Sequence, residues 1–301
     1  MQKHSLGEWF AVTRFWSFAV SLSPVVVTFA YWCSRHCIEG WKPWLCFALS
    51  CLAVVVLHSA GNVLSDWADY RRGVDNENAF AVPQLVFHKF EPDEYLHFAI
   101  GLFAFGIVLG VVIAAIAGWG LLIVGGVGVL LTALYSNLKF HALGDLDIFL
   151  IFSVLIILGT TYACLGEFRF DALVLALPIG IITVSVLHAN NTFDIQSDSA
   201  AGIKTFAMLL GGATSCKLYM VYMVLPLLSI IALVITGFLP LFCLLSLVAA
   251  VLALKNIKAA SHYDEKGIAT MEGLDQASAK LQMVFSSTLA LGLFLSAILF
   301  K

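Results

Sequence analysis

Apolar residues in this chain come in long blocks rather than in the narrow stripes of a soluble helix. Runs of about 20 residues occupy 14–32, 43–65, 95–117, 119–138, 146–165, 171–192, 216–236, 239–255 and 281–300. Each is long enough to cross a hydrocarbon core roughly 30 Å thick at about 1.5 Å per helical residue. A helix closes its own backbone hydrogen bonds, so it is the default conformation for such a run in lipid. The pattern predicts an all-α chain, a polytopic membrane helical bundle of about nine transmembrane helices. The divisions at Gly118-Trp119 and at Gly237-Phe-Leu-Pro240 rest on turn-forming residues alone.

Polar residues gather between the blocks. Segments 66–94, 193–215 and 256–280 carry most of the Asp and Glu, whereas the alternate connections are short. Long connections in an otherwise compact chain usually carry function. The segment Ser261-His-Tyr-Asp264-Glu265-Lys266-Gly reads as a solvated connector, with a helical lid as the alternative. With the N-terminus in the cytoplasm, that side holds Lys3, Arg14, Arg71, Arg72, Lys89, Lys139, Lys204, Lys217, Lys255, Lys258, Lys266 and Lys280. The other side holds Arg35, Lys42, Arg169 and Lys301. This excess of cations orients the bundle with its N-terminus inside.

Composition agrees with the pattern. The chain has 301 residues, is 61% hydrophobic and only 12% charged, and has a mean hydropathy of +0.96. Such values exclude an ordinary soluble domain and suggest a single membrane domain over 1–301. The net charge of −3 and the lack of a basic tail argue against a nucleic-acid partner. The first apolar run reads as a retained span rather than a signal peptide. Seven scattered cysteines have no framework spacing and read as small buried hydrophobes.

Two acidic clusters change the picture. The first is Asn62-Val-Leu-Ser-Asp66-Trp-Ala-Asp69-Tyr-Arg71-Arg72-Gly73-Val-Asp75. Spacings of four and then three put Asn62, Asp66 and Asp69 on one helical face. The second is Asn190-Asn191-Thr-Phe-Asp194-Ile-Gln-Ser-Asp198, with Asn190, Asp194 and Asp198 at i, i+4 and i+8. Both fall at the cytoplasmic ends of their spans, the second and the sixth, which hints at an old duplication. A solvated interfacial loop explains one such cluster well but two in matching register poorly. Acids at the ends of membrane helices are costly unless paired or functional. Hard oxygen ligands suit Mg2+, so Asp66, Asp69, Asp75, Asp194 and Asp198 are the candidate metal ligands. Asp66, Asp69, Asp194 and Asp198 are also the candidate catalytic residues.

Basic residues nearby complete a site for a diphosphate, because charge-assisted bonds to phosphate oxygens are strong. Arg71, Arg72, Lys139 and Lys204 are the candidates, each equally readable as a positive-inside anchor. Tyr135 reads either as a cavity residue facing a cation or as part of an interfacial aromatic belt. Asp145 and Asp147, two apart, cannot share a helical face, so one of them is expected to face a cavity. His58 and His188 read as hydrogen-bonded core histidines. The chemistry that fits is ionisation of an allylic diphosphate: cations stabilise the leaving group while an electron-rich acceptor attacks the carbocation. Water must be excluded from that site.

Those residues resemble the UbiA superfamily of membrane prenyltransferases. Asn62-xxx-Asp66-xx-Asp69-xxx-Gly73-x-Asp75 is similar to its first aspartate-rich motif, and Asn190-Asn191-xx-Asp194-xxx-Asp198-xxx-Gly202-xx-Thr205 to its second. Together with Leu143-Gly144-Asp145-x-x-Ile148-Phe149, the likeness is closest to the 1,4-dihydroxy-2-naphthoate polyprenyltransferase branch of menaquinone biosynthesis. The resemblance implies nine helices around a central cavity, with Mg2+ bridging both motifs to a prenyl diphosphate. Asn62 and Asn190, with Arg72, Tyr135, Lys139, Asp145 and Lys204, would then bind substrate. The implied partners are the prenyl diphosphate, an aromatic acceptor and membrane lipid. The implied location is a bacterial inner membrane, with the site on its cytoplasmic side. The chain departs from the family at Phe80-Ala-Val82-Pro83-Gln84-Leu85, which lacks the usual Arg-Pro pair, and at Ser65, where Asn is common. Segment Ser136-Asn-Leu-Lys139-Phe-His141-Ala lacks the usual glycine and proline. A different acceptor within the superfamily is the nearest alternative. A cation-coupled transporter is the alternative from another class, although transporter acids tend to lie nearer the bilayer midplane.

Overall fold

The computed structural model describes residues 4–75 and 83–300. Among them, nine helices are long and apolar enough to cross a membrane: Phe15–Ser34, Lys42–Arg71, Pro92–Ala117, Leu121–Lys139, Gly144–Leu165, Asp171–Phe193, Gly212–Ile235, Leu241–Ala260 and Leu274–Leu299. They are numbered here as spans one to nine, and they make this a multi-pass integral membrane protein of all-helical fold. Both divisions inferred from turn residues are present, with Gly118 at φ 131° and Gly237 at φ 78°. The largest differences from the apolar runs are at the ends of the spans nearest the acidic motifs. Span two runs to Arg71, so the first motif stands on a helix that continues beyond its apolar run. Span nine begins at Leu274, earlier than its apolar run, because Gly273 (φ 71°) supplies the turn that starts it. The connector before it contains a short helix, Tyr263–Lys266, and a 3₁₀ segment, Gly267–Met271. All seven cysteines are free; Cys46, Cys164, Cys216 and Cys243 are buried as expected, whereas Cys33, Cys37 and Cys51 are only half-buried.

The main core lies between spans one, six, seven and nine, with Trp32, Tyr219, Phe285 and Leu289 fully buried. Spans two and three pack closely along a second seam, where Gly106 admits Leu57. Span four is the least buried. The midsection of span five, Leu150–Leu155, is a π-helical stretch; such widened turns often mark functional sites. It faces Gly180 of span six, where a Cβ would meet Phe149 and Ser153 at 2.6 Å.

A buried polar network ties spans five, six and seven together. His188 of span six is fully buried, with Nδ1 2.9 Å from Asp145 Oδ2 and Nε2 2.9 Å from the Ser215 hydroxyl. Thr192 donates to the His188 carbonyl at 2.6 Å and lies 2.6 Å from Ser215 Oγ. This is the core histidine expected from sequence. Asp145 has no other partner: its Oδ1 is buried without a hydrogen bond among the described residues. His188→Ala would therefore strand a buried carboxyl, and a destabilisation of about 3–5 kcal/mol is expected. Thermal unfolding of the detergent-solubilised protein checks it; an unchanged Tm would show that the network contributes nothing. Packing gives a second expectation. A Cβ on Gly292 of span nine would lie 2.7 Å from the Phe242 carbonyl carbon and 3.0 Å from the Cys243 amide nitrogen. Backbone cannot swing aside, so Gly292→Ala should lower stability by about 1–3 kcal/mol. Gly126→Ala, with nothing within 4 Å of its Cβ, should not.

Candidate active site

Residues of both acidic motifs line a single cavity of about 1010 Å³. On span two its wall runs from Ser50 to Asp69. At about 1.5 Å per residue, those 19 steps (69 − 50) cover roughly 28 Å, close to the thickness of a bilayer core. The deep part is apolar, formed by Leu57, Leu121, Val124, Ile151 and Phe152 among others. Charge collects at one end, where Asn62, Asp69, Asp75, Lys139, Asn190, Asp194, Asp198 and Asp275 line the rim.

Each motif reaches the rim differently. The first rides on the unbroken helix of span two, so Asn62, Asp66 and Asp69 keep their helical register. Gly73, at φ 73°, then turns the chain so that Asp75 also lines the cavity. The second motif is not one continuous helix. Span six ends at Phe193, Asp194 leaves helical geometry (φ −85°, ψ 7°), and a new helix covers Ile195–Ala200. Local polar bonds compete with the helix there: Asn190 Nδ2 donates to Asp194 Oδ2 at 2.8 Å, and Ser197 Oγ to the Asp194 carbonyl at 3.0 Å. The i, i+4, i+8 expectation is thus corrected to a kinked face, although all three side chains still line the cavity.

Lys139 is the countercharge common to both motifs. Its Nζ lies 3.6 Å from Asp69 Oδ2. Burial pushes the Asp198 carboxyl up to about 6; Lys139 opposes the rise, while Asp194 and Asp69 add to it. Asp194 is raised as well, by burial first, with Lys139 again opposing. The influence of Asp69 on Asp198 puts the two motifs within one electrostatic site.

Acceptor capacity is left over. Asp66 Oδ2, Asp69 Oδ1 and Asp198 Oδ2 are all buried without a hydrogen-bond donor among the described residues. Carboxylate oxygens in that condition suit a hard cation such as Mg2+. Among the described residues no three acids or other ligands converge tightly enough to hold an ion alone.

Other expected site residues are placed as follows. Tyr135 lines the cavity one helical turn before Lys139. Asp66 is fully buried and does not line the cavity itself; it is ion-paired to Arg14, which does. Arg72 is exposed, donating to Asn137 Oδ1 at 2.6 Å and lying over the Phe140 ring at 4.3 Å. Lys204 is exposed beside His141, bridged to it through backbone. Neither Arg72 nor Lys204 lines the cavity. Neither Asp145 nor Asp147 does so, against the expectation that one would; Asp145 turns instead to His188. The unusual Phe80-Ala-Val82 stretch lies outside the described residues. His58 lines the cavity wall, hydrogen-bonded to Ser21 Oγ at 3.2 Å. Two residues escaped the sequence reading. Arg14 counted only as a positive-inside charge, and Asp275, an acid in the first turn of span nine, carried no motif.

The model of the UbiA prenyltransferase family matches residues 22–271. A UbiA prenyltransferase domain-containing protein 1 from Xenopus tropicalis is 31% identical over 231 residues, covering 74% of this chain and 66% of that protein. Its Homo sapiens counterpart is 32% identical over 219 residues, covering 71% and 64%. The chain thus spans just under two thirds of the length of these relatives. They are animal proteins, which lends no support to a bacterial inner membrane as the location. Two archaeal structures share the fold. A UbiA homologue from Aeropyrum pernix K1 superposes with a TM-score of 0.69 at 15% identity, over 94% of this chain and 98% of that one. A UbiA homologue from Archaeoglobus fulgidus, solved bound to DMAPP and Mg2+, gives 0.65 at 13% identity, over 97% and 99%. With a family match over residues 22–271 of 301 and two acidic motifs facing one membrane cavity, the chain belongs to the UbiA prenyltransferase family.

Proposed function

We propose that the protein transfers a polyprenyl group from a prenyl diphosphate to an aromatic quinone precursor, 1,4-dihydroxy-2-naphthoate. The observation that carries the transfer reading is the division of one cavity into an acidic rim and an apolar shaft. The rim suits a metal-bound diphosphate, and the shaft suits an isoprenoid tail. The homologue from Archaeoglobus fulgidus bound to DMAPP and Mg2+ supports the same reading. The naphthoate acceptor is supported by the Asn190-Asn191-xx-Asp194-xxx-Asp198 and Leu143-Gly144-Asp145 segments. The excess of Lys and Arg on the motif side supports a cytoplasmic site.

Asp69, Asp75, Asp194 and Asp198 would hold Mg2+, with Asp66 behind them and Asn62 and Asn190 beside them. The metal supplies Lewis-acid stabilisation of the charge that builds on the departing diphosphate. Lys139 sits between the motifs to bind phosphate oxygens and to keep the emptied site from repelling itself. The allylic C–O bond breaks with its electron pair going to the diphosphate. A ring carbon of the acceptor then attacks the allylic carbon, and the ring regains aromaticity by releasing H+ from a carbon that bore hydrogen, or CO2 from the one that bore the carboxylate. Apolar walls at Leu57, Ile151 and Phe152 keep water from the carbocation.

The test is product formation in membranes given labelled prenyl diphosphate, Mg2+ and candidate acceptors. Chelation of the metal should abolish transfer and added Mg2+ should restore it. Asp66→Ala, Asp69→Ala and Asp194→Ala should each lose at least about 100-fold in rate, the scale expected when stabilisation of a leaving group is removed. Ion uptake by vesicles without any prenyl transfer would instead establish a transporter. Transfer to another phenolic acid, and not to the dihydroxynaphthoate, would move the protein to another branch. Lys139→Ala should raise KM for the diphosphate by about 10- to 100-fold, as expected for loss of a charge-assisted bond. An unchanged KM would remove Lys139 from the phosphate site.

A further inference from the structure

A second cavity, of about 470 Å³, lies at the end of the bundle away from the acidic rim. Three connections build it: Arg35 and Cys37 just beyond span one, Arg169 between spans five and six, and Phe238 between spans seven and eight. Odd-numbered spans end on this side, whereas both acidic motifs stand at the ends of even-numbered ones. Cations are scarce here. The charge count puts only Arg35, Lys42, Arg169 and Lys301 on this side, and two of these converge on one cavity.

The two guanidiniums are held in place by aromatic rings. Arg169 lies over the Trp32 ring at 4.6 Å, and Arg35 over the Tyr31 ring at 5.2 Å. Both rings are buried, and the Trp32 indole is pinned by its N–H, which donates to Thr161 Oγ1 at 2.9 Å. Stacking occupies the face of a guanidinium and leaves its N–H edges to point elsewhere. Arg35 donates to the Phe238 carbonyl at 2.8 Å, and Arg169 to Asp171 Oδ2 at 3.2 Å and to Cys37 Sγ at 3.8 Å. Each guanidinium carries five N–H donors, so most are left over. Asp171 is the one acid among the described residues that line the cavity, so the lining is net positive.

A cation that merely anchors a helix end snorkels to water from its own position. These two instead fold onto buried rings and face one space. Phosphate is the anion that matches them. Its tetrahedral oxygens accept from two planar forks at once, and basic pockets between membrane helices take lipid phosphates in this way. Apolar surface lies beside the cavity: Phe168 and Phe170 on either side of Arg169, and Ile235 and Phe238 on the third connection, are all exposed. A ligand with acyl tails finds a place for them there. We propose that this cavity binds a phosphate group, as a lipid headgroup or as free phosphate, with Arg35 and Arg169 as its ligands. The site does not depend on the prenyl-transfer reading.

The test uses the full chain, stripped of lipid in a neutral maltoside detergent. Calorimetric titrations use dihexanoyl-phosphatidylglycerol, inorganic phosphate and uncharged dihexanoylglycerol. A phosphate probe should bind, and Arg35→Gln and Arg169→Gln should each weaken it by about 10- to 100-fold, the loss expected for a charge-assisted bond. Arg169→Lys keeps the charge without the planar fork and should weaken binding by about tenfold. Lys42→Gln removes a charge from the same side but outside the cavity, and should bind like the wild type. Tighter binding of the phosphatidylglycerol than of inorganic phosphate assigns the site to a headgroup; equal or tighter binding of inorganic phosphate assigns it to the free ion. Thermal unfolding without ligand separates lost binding from misfolding in each variant. Three results would each overturn the proposal: neither phosphate probe binds, dihexanoylglycerol binds as tightly as the phosphatidylglycerol, or Lys42→Gln weakens binding as much as the arginine changes do.

Discussion

Unlike charges must be brought together where the membrane ends, and the rest of the site depends on that constraint. Carboxylates at the end of an apolar helix lose hydration, and several in one place repel. The chain answers with two cations at different depths and from different elements. Lys139, at the end of span four, stands between Asp69 and the second motif, and Arg14 arrives from the N-terminal segment to meet Asp66. Neither cation exhausts the acceptor capacity around it. Buried oxygens on Asp66, Asp69 and Asp198 have no hydrogen-bond donor among the described residues, so acceptor capacity is left at the site. A cation with its own anionic ligand is the chemistry that would complete it.

The same constraint explains why the bundle is divided as it is. Spans one, six, seven and nine form a dense core that anchors span six, and the His188–Asp145–Ser215 network fixes the second motif from behind. Span four is the least buried, with Gly125 and Gly128 on the cavity wall, so this side of the shaft is thin. Rigid support thus lies on the side that must hold charge geometry.

Much of this was legible in the sequence, for physical reasons. Membrane spans are read from length and hydropathy, which lipid enforces without help from tertiary contacts. The shared depth of the two motifs followed from span parity, and span two kept its helical register through Asp69. What could not be read depends on contacts between distant residues. Arg14 and Asp66 are 52 positions apart, and their meeting requires a left-handed turn that no propensity predicts for arginine. Arg72 and Lys204 were plausible phosphate ligands by sequence proximity. The turns near helix ends aim them outward, where Asn137 and Phe140 occupy Arg72. The break at Asp194 was hidden because Asn, Ser and Asp at those spacings fit a helix as well as they fit its interruption.

Asp66 shows how strongly the apolar surroundings shape the reading. By spacing it is equivalent to Asp69, and motif logic gives both the same role. In the structure Asp69 lines the cavity and Asp66 is enclosed, so an ion at the rim meets Asp69 first. An enclosed carboxylate has long reach because little water screens it, and its effect is to orient whatever cation stands before it. The first acidic motif is therefore layered: Asp69 on span two and Asp75 beyond its end line the cavity, Asp66 lies behind them, and Arg14 both pairs with Asp66 and lines the cavity.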